Sequence, residues 1–219
     1  MRKYLEDKIG YVELVDFMGS DLDVVRAARV SYNKELTNKE KDLELLDFLI
    51  KEGHTSTTEH CVFKFKIKCP IFVARQVLRH RVSSTNELSG RYSEFEPEFY
   101  IPTKLRYQVA KHEISTINLR GVNEEQLIED LSNFMKSAYR HYQYLLTQGI
   151  AKEIARIVLP VSTYTTFIWT INTRSLINFL KLRTSEHTQK ETRDYAGLIE
   201  GFFKNKMPET YKAYVKYIA

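Results

Sequence analysis

The sequence predicts a single α+β domain over residues 1–219, in which a mixed or antiparallel sheet is combined with several helices. Two segments carry the strand signal. Apolar and basic residues alternate over 61–69, and β-branched and aromatic residues are concentrated over 164–171. Helical periodicity over 123–148 and through the last third of the chain predicts the helices. Hydrophobic residues make up 43% and charged residues 28% of the chain, which is typical of a globular protein with a core.

The first half of the chain is predicted to alternate strands and helices. Ser20 or Asp21 caps the first helix, and Gly53 ends the second. In the second strand three lysines face away from Phe63, Phe65 and Ile67, which indicates one buried and one basic face. The predicted elements are a strand at Tyr11–Met18, helices at about Asp21–Val30 and Lys39–Lys51, a strand at Cys61–Cys69 and a helix from Pro70 to about Arg81.

The second half is predicted to be mainly helical. Residues 97–122 are expected to be irregular. Asn123 and Gln126 resemble a capping box for the long helix, and Gly149 ends it. The segment 164–171 fits a strand, although a buried helix is an open alternative. The predicted helices are 123–148, a short one that contains Arg156 and stops before Pro160, one capped by Asn172 that runs through Arg183, and two at 188–206 and 208–218.

Composition also limits the class of protein. No run approaches the roughly 20 apolar residues of a membrane helix, and the N-terminus lacks the apolar core of a secretory signal. We therefore expect a cytoplasmic protein without a membrane partner. The net charge of +5 fits either a plain basic surface or a site for nucleotides, dinucleotides or nucleic acid.

The chain has two cysteines, Cys61 and Cys69. In one strand they would lie about 26 Å apart at ~3.3 Å per residue, which is too far for a disulfide. Both are expected to be buried apolar residues. No cysteine or histidine spacing of a zinc site is present, so no metal is predicted.

Residues 79–92 form the most informative segment, with the sequence RHRVSSTNELSGRY. A stretch this polar is usually a solvated loop. However, it directly follows a predicted apolar helix. Arginine guanidinium groups bind phosphates and heterocycle edges through paired hydrogen bonds. On that helix Gln76, Arg79 and His80 are spaced i, i+3 and i+4, so they are expected on one face that leads into a polar loop. The segment therefore predicts a nucleotide site.

The segment also resembles the signature of the flavin-dependent thymidylate synthases at all nine of its fixed positions. Each residue type has an average usage near ~5%, so a chance match is on the order of 10⁻¹² per start position. The nine matching residues are Arg79, His80, Arg81, Ser84, Asn86, Glu87, Ser89, Arg91 and Tyr92.

The resemblance implies an activity and an assembly. Members of that family make dTMP from dUMP with 5,10-methylenetetrahydrofolate as the one-carbon donor. Reduced FAD supplies the hydride, NADPH is the usual reductant, and no enzymic cysteine nucleophile takes part. They are typically homotetramers of α+β subunits with active sites at subunit interfaces.

The resemblance also implies the site residues. The dUMP positions are Gln76, Arg79, Glu87, Leu88, Ser89, Gly90, Arg91, Arg156 and Arg183, of which Arg183 is the catalytic one. The FAD positions are His54, Ser56, Glu59, Arg79, His80, Arg81, Val82, Asn172, Arg174 and Asn178. The family often has threonine where this chain has Ser56, and both side chains carry a hydroxyl.

Taken without the resemblance, several of these residues have plainer interpretations. Arg174, Asn178 and Leu182 share one helical face, and Asn178 could simply be exposed there. Arg156 could be a functional charge or could extend to the surface. The chain has no Gly-x-Gly-x-x-Gly, so a flavin would not bind through a Rossmann fold.

Two other functions compete with the synthase. An arginine-rich loop together with many tyrosines and phenylalanines could bind single-stranded nucleic acid, but the aromatic residues have core-like spacing. A flavin reductase on the same fold is the second alternative. We therefore expect dUMP, folate and NADPH as partners and no nucleic acid.

Overall fold

The computed structural model describes residues 1–111, 113–118 and 120–219. The chain forms two compact units. Unit 1 comprises Met1–Cys69, Val73–Glu87 and Thr166–Ala219, and unit 2 comprises Pro70–Phe72 and Leu88–Thr165. The α+β class is confirmed, because helices and a sheet with antiparallel pairs occur together. That residues 1–219 make one domain stays a prediction.

The strands form two sheets. They are β1 Arg2–Tyr4, β2 Tyr11–Met18, β3 Val62–Pro70, β4 Ser84–Glu87, β5 Tyr107–Ala110, β6 Glu113–Ser115 and β7 Tyr164–Asn172. Over the described residues the larger sheet has the order β1-β2-β3-β7-β4, and β5 pairs with β6. The pairs β1/β2, β2/β3, β4/β7 and β5/β6 are antiparallel.

The helices match the predicted ones closely, except for the one that follows Pro70. They are α1 Asp21–Val30, α2 Lys39–Lys51, α3 Ile71–Val77, α4 Glu124–Thr147, α5 Lys152–Ala155, α6 Thr173–Arg183, α7 Lys190–Lys206 and α8 Pro208–Tyr217. Short 3-10 helices lie at Thr55–His60 and Arg156–Val158. Among the residues that the structure describes, every helix is too short or too polar to serve as a membrane span.

The core of unit 1 lies between the sheet and the C-terminal helices. The predicted inner face of β3 is fully buried at Phe63, Phe65 and Ile67. The ring of Trp169 on β7 lies 6.2 Å from that of Phe65 and 5.0 Å from that of Phe179 on α6. Burial of these large rings against one another removes apolar surface from water and stabilises this unit.

The helix ends follow the predicted capping. The Ser20 hydroxyl accepts from the backbone N–H of Asp23, and Asn172 accepts from that of Ser175. Gly53 has a φ of +70°, the left-handed conformation expected where α2 terminates. Side-chain caps satisfy N–H groups that the helix itself leaves unpaired.

Unit 2 is built around α4. Asn123 caps it, accepting from the N–H of Gln126 as predicted. The carboxylate of Glu124 accepts from Leu105 N and from the Tyr107 hydroxyl, which ties the helix start to the beginning of β5. Met135 and Tyr142 are the buried residues of this helix.

An exposed apolar stripe runs along α4. Leu127, Leu131 and Phe134 are spaced i, i+4 and i+7, so they share one face. Their exposed fractions are 41%, 38% and 66%. A contiguous apolar stripe that remains exposed on a folded unit is typical of an interaction surface.

Three predictions about local structure were wrong. The helix after Pro70 ends at Val77, and Pro70 itself ends β3, so Arg79 and His80 lie beyond the helix and do not share a helical face with Gln76. The predicted polar loop contains the edge strand β4, whose four residues pair with β7. The region 97–122, expected to be irregular, contains the β5/β6 hairpin.

Candidate active site

The predicted site residues occur in both units. Unit 1 holds His54, Ser56, Glu59, Gln76, Arg79, His80, Arg81, Val82, Glu87, Asn172, Arg174, Asn178 and Arg183. Unit 2 holds Leu88, Ser89, Gly90, Arg91 and Arg156. Each group is described within its own unit.

A hydrogen-bonded cluster in unit 1 is centred on Arg183, at the end of α6. Its Nε donates to Nε2 of His80 at 3.1 Å, and its Nη2 donates to the backbone carbonyl oxygen of Gln76 at 3.3 Å. Arg183 is half-buried. Both acceptors are uncharged, so the positive charge of the guanidinium is held in place without being neutralised by either of them.

His80 is positioned by its own backbone and by α6. After the last helical bond of α3, from Leu78 N to Ala74 O, the N–H of His80 closes a tighter turn onto Val77 O. The Ser83 hydroxyl donates to His80 O at 2.7 Å, and the imidazole packs edge-on against Phe179 at 4.9 Å. Burial and the nearby Arg183 lower the pKa of His80 to about 4. The imidazole is therefore neutral at physiological pH.

The Gln76 side chain is also fixed. Its Nε2 donates to Oε1 of Gln189 at 2.5 Å, and Gln189 lies directly before α7. This leaves the side-chain amide oxygen of Gln76, Oε1, as an acceptor for a ligand. The sequence analysis did not identify Gln189, because nothing in the sequence indicates that a residue 113 positions away is its partner.

The proposed flavin residues on α6 lie on an exposed face. Arg174, Asn178 and Leu182 share one face of α6, and all three are exposed. Arg174 forms an ion pair with Glu59. The Oδ1 of Asn172 accepts the capping bond, and its amide N–H₂ can donate to a ligand.

The remaining proposed flavin residues lie in two segments, at residues 54–56 and 79–82. Ser56 lies exposed in the 3-10 helix that follows His54, and the His54 ring contacts the edge of Phe48 at 5.7 Å. Arg79 and Arg81 are exposed, with no ion pair or side-chain hydrogen bond among the described residues. Val82 is 71% exposed. The donors here are guanidinium and hydroxyl groups, which suit a phosphorylated ligand.

In unit 2 the end of the motif is anchored to α5. Arg91 Nε donates to Glu153 Oε2 at 2.9 Å, and its backbone N–H donates to the Ser89 hydroxyl at 3.3 Å. The side chains of Arg91 and Glu153 are 56% and 49% exposed. The Nη groups of Arg91 remain available, so the arginine can still bind an anion. Glu153 was not identified from the sequence.

Gly90 is required by packing. A Cβ atom at this position would lie 2.4 Å from the ring of Phe95 and 3.0 Å from Cδ of Arg156. Only glycine therefore allows the motif backbone to approach Phe95 this closely. Arg156 starts the 3-10 helix after α5 and is exposed, so the surface interpretation and the functional one are both compatible with its position.

Both cysteines of the chain lie in the core. Cys61 and Cys69 are fully buried and free, as predicted. Burial raises the thiol pKa of both, that of Cys69 well above its usual value. Since the thiolate is the reactive form, a raised pKa keeps both thiols protonated and lowers their reactivity.

Similar proteins are known over almost the whole chain. The family model described as thymidylate synthase complementing protein matches residues 13–209. A flavin-dependent thymidylate synthase from Thermotoga neapolitana is 50% identical over 208 residues, which cover 95% of this chain and 92% of that protein. The protein of the same name from Thermosipho africanus is 46% identical, with 95% and 92% covered.

A solved structure extends the likeness to the fold. The UMP/dUMP methylase PolB from Streptomyces cacaoi, bound with 5-Br dUMP, superimposes with a TM-score of 0.84 at 37% identity. The match covers 94% of this chain and 95% of that one. The same methylase bound with 5-Br UMP matches with the same TM-score. The nine motif residues, the α+β fold and these relatives agree, and the chain belongs to the flavin-dependent thymidylate synthase family.

Proposed function

We propose that this protein converts dUMP to dTMP, with 5,10-methylenetetrahydrofolate as the one-carbon donor and reduced FAD, generated by NADPH, as the hydride source. The observation that carries the proposal is the Arg183 cluster. A half-buried guanidinium bonded to two uncharged acceptors retains its full charge. Such a fixed cation stabilises negative charge that develops at N3 and O4 of a pyrimidine and so makes C5 nucleophilic.

The substrate-binding residues have complementary chemistry. Arg91 and Arg156 are exposed guanidinium groups in unit 2 that suit the nucleotide phosphate. In unit 1 the side-chain amide oxygen of Gln76, Oε1, suits an N–H of the ligand. We assign the remaining dUMP positions from the motif, namely Arg79, Glu87, Leu88, Ser89 and Gly90.

The donor set of unit 1 fits FAD. Arg79 and Arg81 offer uncompensated guanidinium groups for the pyrophosphate, and Ser56 and Asn178 offer exposed hydroxyl and amide groups. His54, Glu59, His80, Val82, Asn172 and Arg174 complete the proposed flavin residues. When bound, the flavin would supply the hydride. The protein residues bind it, orient it and provide the surrounding charge.

We further propose that the reaction uses no enzymic cysteine. The support is that Cys61 and Cys69 are buried and that their pKa values are raised. Ser89 has no base beside it among the described contacts, since its hydroxyl accepts from Arg91 N. It therefore suits substrate binding better than nucleophilic attack.

We also propose that the protein acts as a homotetramer. The apolar stripe on α4 supports self-association, because contact with a second chain would remove Leu127, Leu131 and Phe134 from water. Phe134→Glu should convert the assembly to smaller species in light scattering, with Lys136→Glu, an exposed residue of the same helix, as the matched control. A wild-type protein that is fully active as a 25.8 kDa monomer would contradict this proposal.

The activity is tested by tritium release from [5-³H]dUMP. The purified protein should be yellow or take up added FAD, and release should require methylenetetrahydrofolate and NADPH. NADPH oxidation without tritium release would indicate a flavin reductase instead. A flavin-free protein that binds single-stranded nucleic acid would indicate the other alternative. A parallel reaction with [5-³H]UMP tests the ribonucleotide, because the methylase from Streptomyces cacaoi is named for both.

A further inference from the structure

The contact between Arg183 and His80 fixes the proton of the imidazole. Arginine remains protonated in proteins, and its Nε–H can only donate. The acceptor, Nε2 of His80 at 3.1 Å, must therefore carry a lone pair. In a neutral imidazole the single proton then resides on Nδ1. A charged imidazolium could not accept this bond, and burial beside Arg183 keeps the pKa of His80 at about 4.

His80 is itself held from three sides. Its backbone N–H bonds to Val77, its carbonyl accepts from Ser83, and its ring packs against Phe179. Phe179 lies on the same helix as Arg183, and it is fully buried against Trp169. The acceptor nitrogen therefore has a fixed position relative to the end of α6.

We propose that His80 is a positioning residue for Arg183, a role distinct from its assigned contact with the flavin. His80 Nε2 and the backbone carbonyl oxygen of Gln76 together set the plane of the Arg183 guanidinium. This role rests on the proposed function of Arg183 in dTMP formation. It predicts that loss of the acceptor lowers kcat while the affinity for dUMP changes little, because the guanidinium would then adopt several orientations.

Three substitutions of His80 distinguish the role of its hydrogen-bond acceptor from that of its ring. His80→Gln places an amide oxygen near the position of Nε2, His80→Asn does not reach it, and His80→Phe keeps the ring against Phe179 without an acceptor. We expect His80→Phe and His80→Asn to lower kcat per bound flavin by about tenfold to a hundredfold. His80→Gln should recover most of that loss. Flavin absorbance per protein and circular dichroism are measured for every variant.

A double-mutant cycle tests whether His80 acts through Arg183. Arg183→Lys keeps a charge but has no Nε–H, so His80→Phe should have little further effect on single-turnover dTMP formation in that background. An equally large effect in both backgrounds would overturn the proposal. It would also be overturned if His80→Phe lost flavin but turned over normally per bound flavin, since His80 would then be a flavin contact alone.

A measurement without substrate separates this inference from the proposed activity. In protein labelled with [¹⁵Nε]arginine, Arg183→Lys assigns the Arg183 Nε–H resonance. His80→Phe should move that resonance and speed the exchange of its proton with water, and His80→Gln should keep both close to wild type. An unchanged resonance in His80→Phe refutes the contact. A protein that shows these shifts but forms no dTMP would refute the proposed function and leave the contact standing.

Discussion

Arg183 and Arg91 are two arginines with opposite environments. Arg183 is half-buried and bonds to an imidazole nitrogen and a backbone carbonyl, whereas Arg91 is largely exposed and bonds to the carboxylate of Glu153. The first arrangement orients a charge and leaves it uncompensated. The second partly neutralises a charge that water already screens. The difference supports the proposed roles, in which Arg183 stabilises charge in the transition state and Arg91 binds a phosphate.

The largest expected effect is that of Arg183→Ala. It should lower kcat by about 10²–10³-fold, because a fixed cation near developing charge acts mainly in the transition state. The dUMP Kd should rise by less than about tenfold. Single-turnover dTMP formation and equilibrium dUMP binding, measured on the same flavin-loaded preparation, give the two values. Equal changes in both would remove the distinction between the two arginines.

Arg91→Ala should give the converse profile. Loss of a charge-assisted phosphate contact should raise the dUMP Kd by about tenfold to a hundredfold, with a smaller change in kcat at saturating dUMP. Binding of deoxyuridine without a phosphate is the control, and it should be unaffected by the substitution. A selective loss of kcat would assign Arg91 to the chemical step instead.

A smaller effect is expected for Glu153→Gln. Gln keeps an acceptor for Arg91 Nε but removes the competing negative charge, so the dUMP Kd should fall by up to about fivefold at low ionic strength. The effect should shrink as salt is added, because both side chains are exposed. Weaker dUMP binding would mean that Glu153 mainly holds Arg91 in place.

The smallest effect on activity is expected when both cysteines are replaced. Cys61→Ala with Cys69→Ala should keep substantial dTMP-forming activity, since the arginines and not the thiols carry the proposed chemistry. Two small cavities should lower the free energy of unfolding by about 1–3 kcal/mol in total, seen as a lower Tm. If the folded, flavin-loaded double mutant makes no dTMP, a mechanism without an enzymic nucleophile is wrong.

Most element boundaries could be predicted because their signals are local. Ser20 and Asn172 stand where helices begin, Gly53 stands where one ends, and the alternation of β3 follows its burial. The strand β4 could not be predicted, since its four residues are polar and exposed and it exists only by pairing with β7. The early end of α3 is likewise unmarked by glycine or proline.

The candidate site was predictable only in its residue types. The motif contains Arg91, and the family resemblance implies Arg183, but the partners of both arginines come from distant positions. Arg183 and His80 are separated by 103 residues and Arg91 and Glu153 by 62. Such contacts depend on the fold, and no local pattern encodes them. The roles of Gln189 and Glu153 therefore became visible only in the structure.

Trp169 is the single tryptophan of the chain, and its burial gives the protein an internal optical reporter. Its indole lies against Phe179, which in turn contacts His80. The emission of the native protein should be blue-shifted, and it should move to longer wavelength when unit 1 unfolds. A flavin absorbs in the region where tryptophan emits, so cofactor uptake should quench this signal through energy transfer. Folding of unit 1 and cofactor loading can thus be followed in one unlabelled sample.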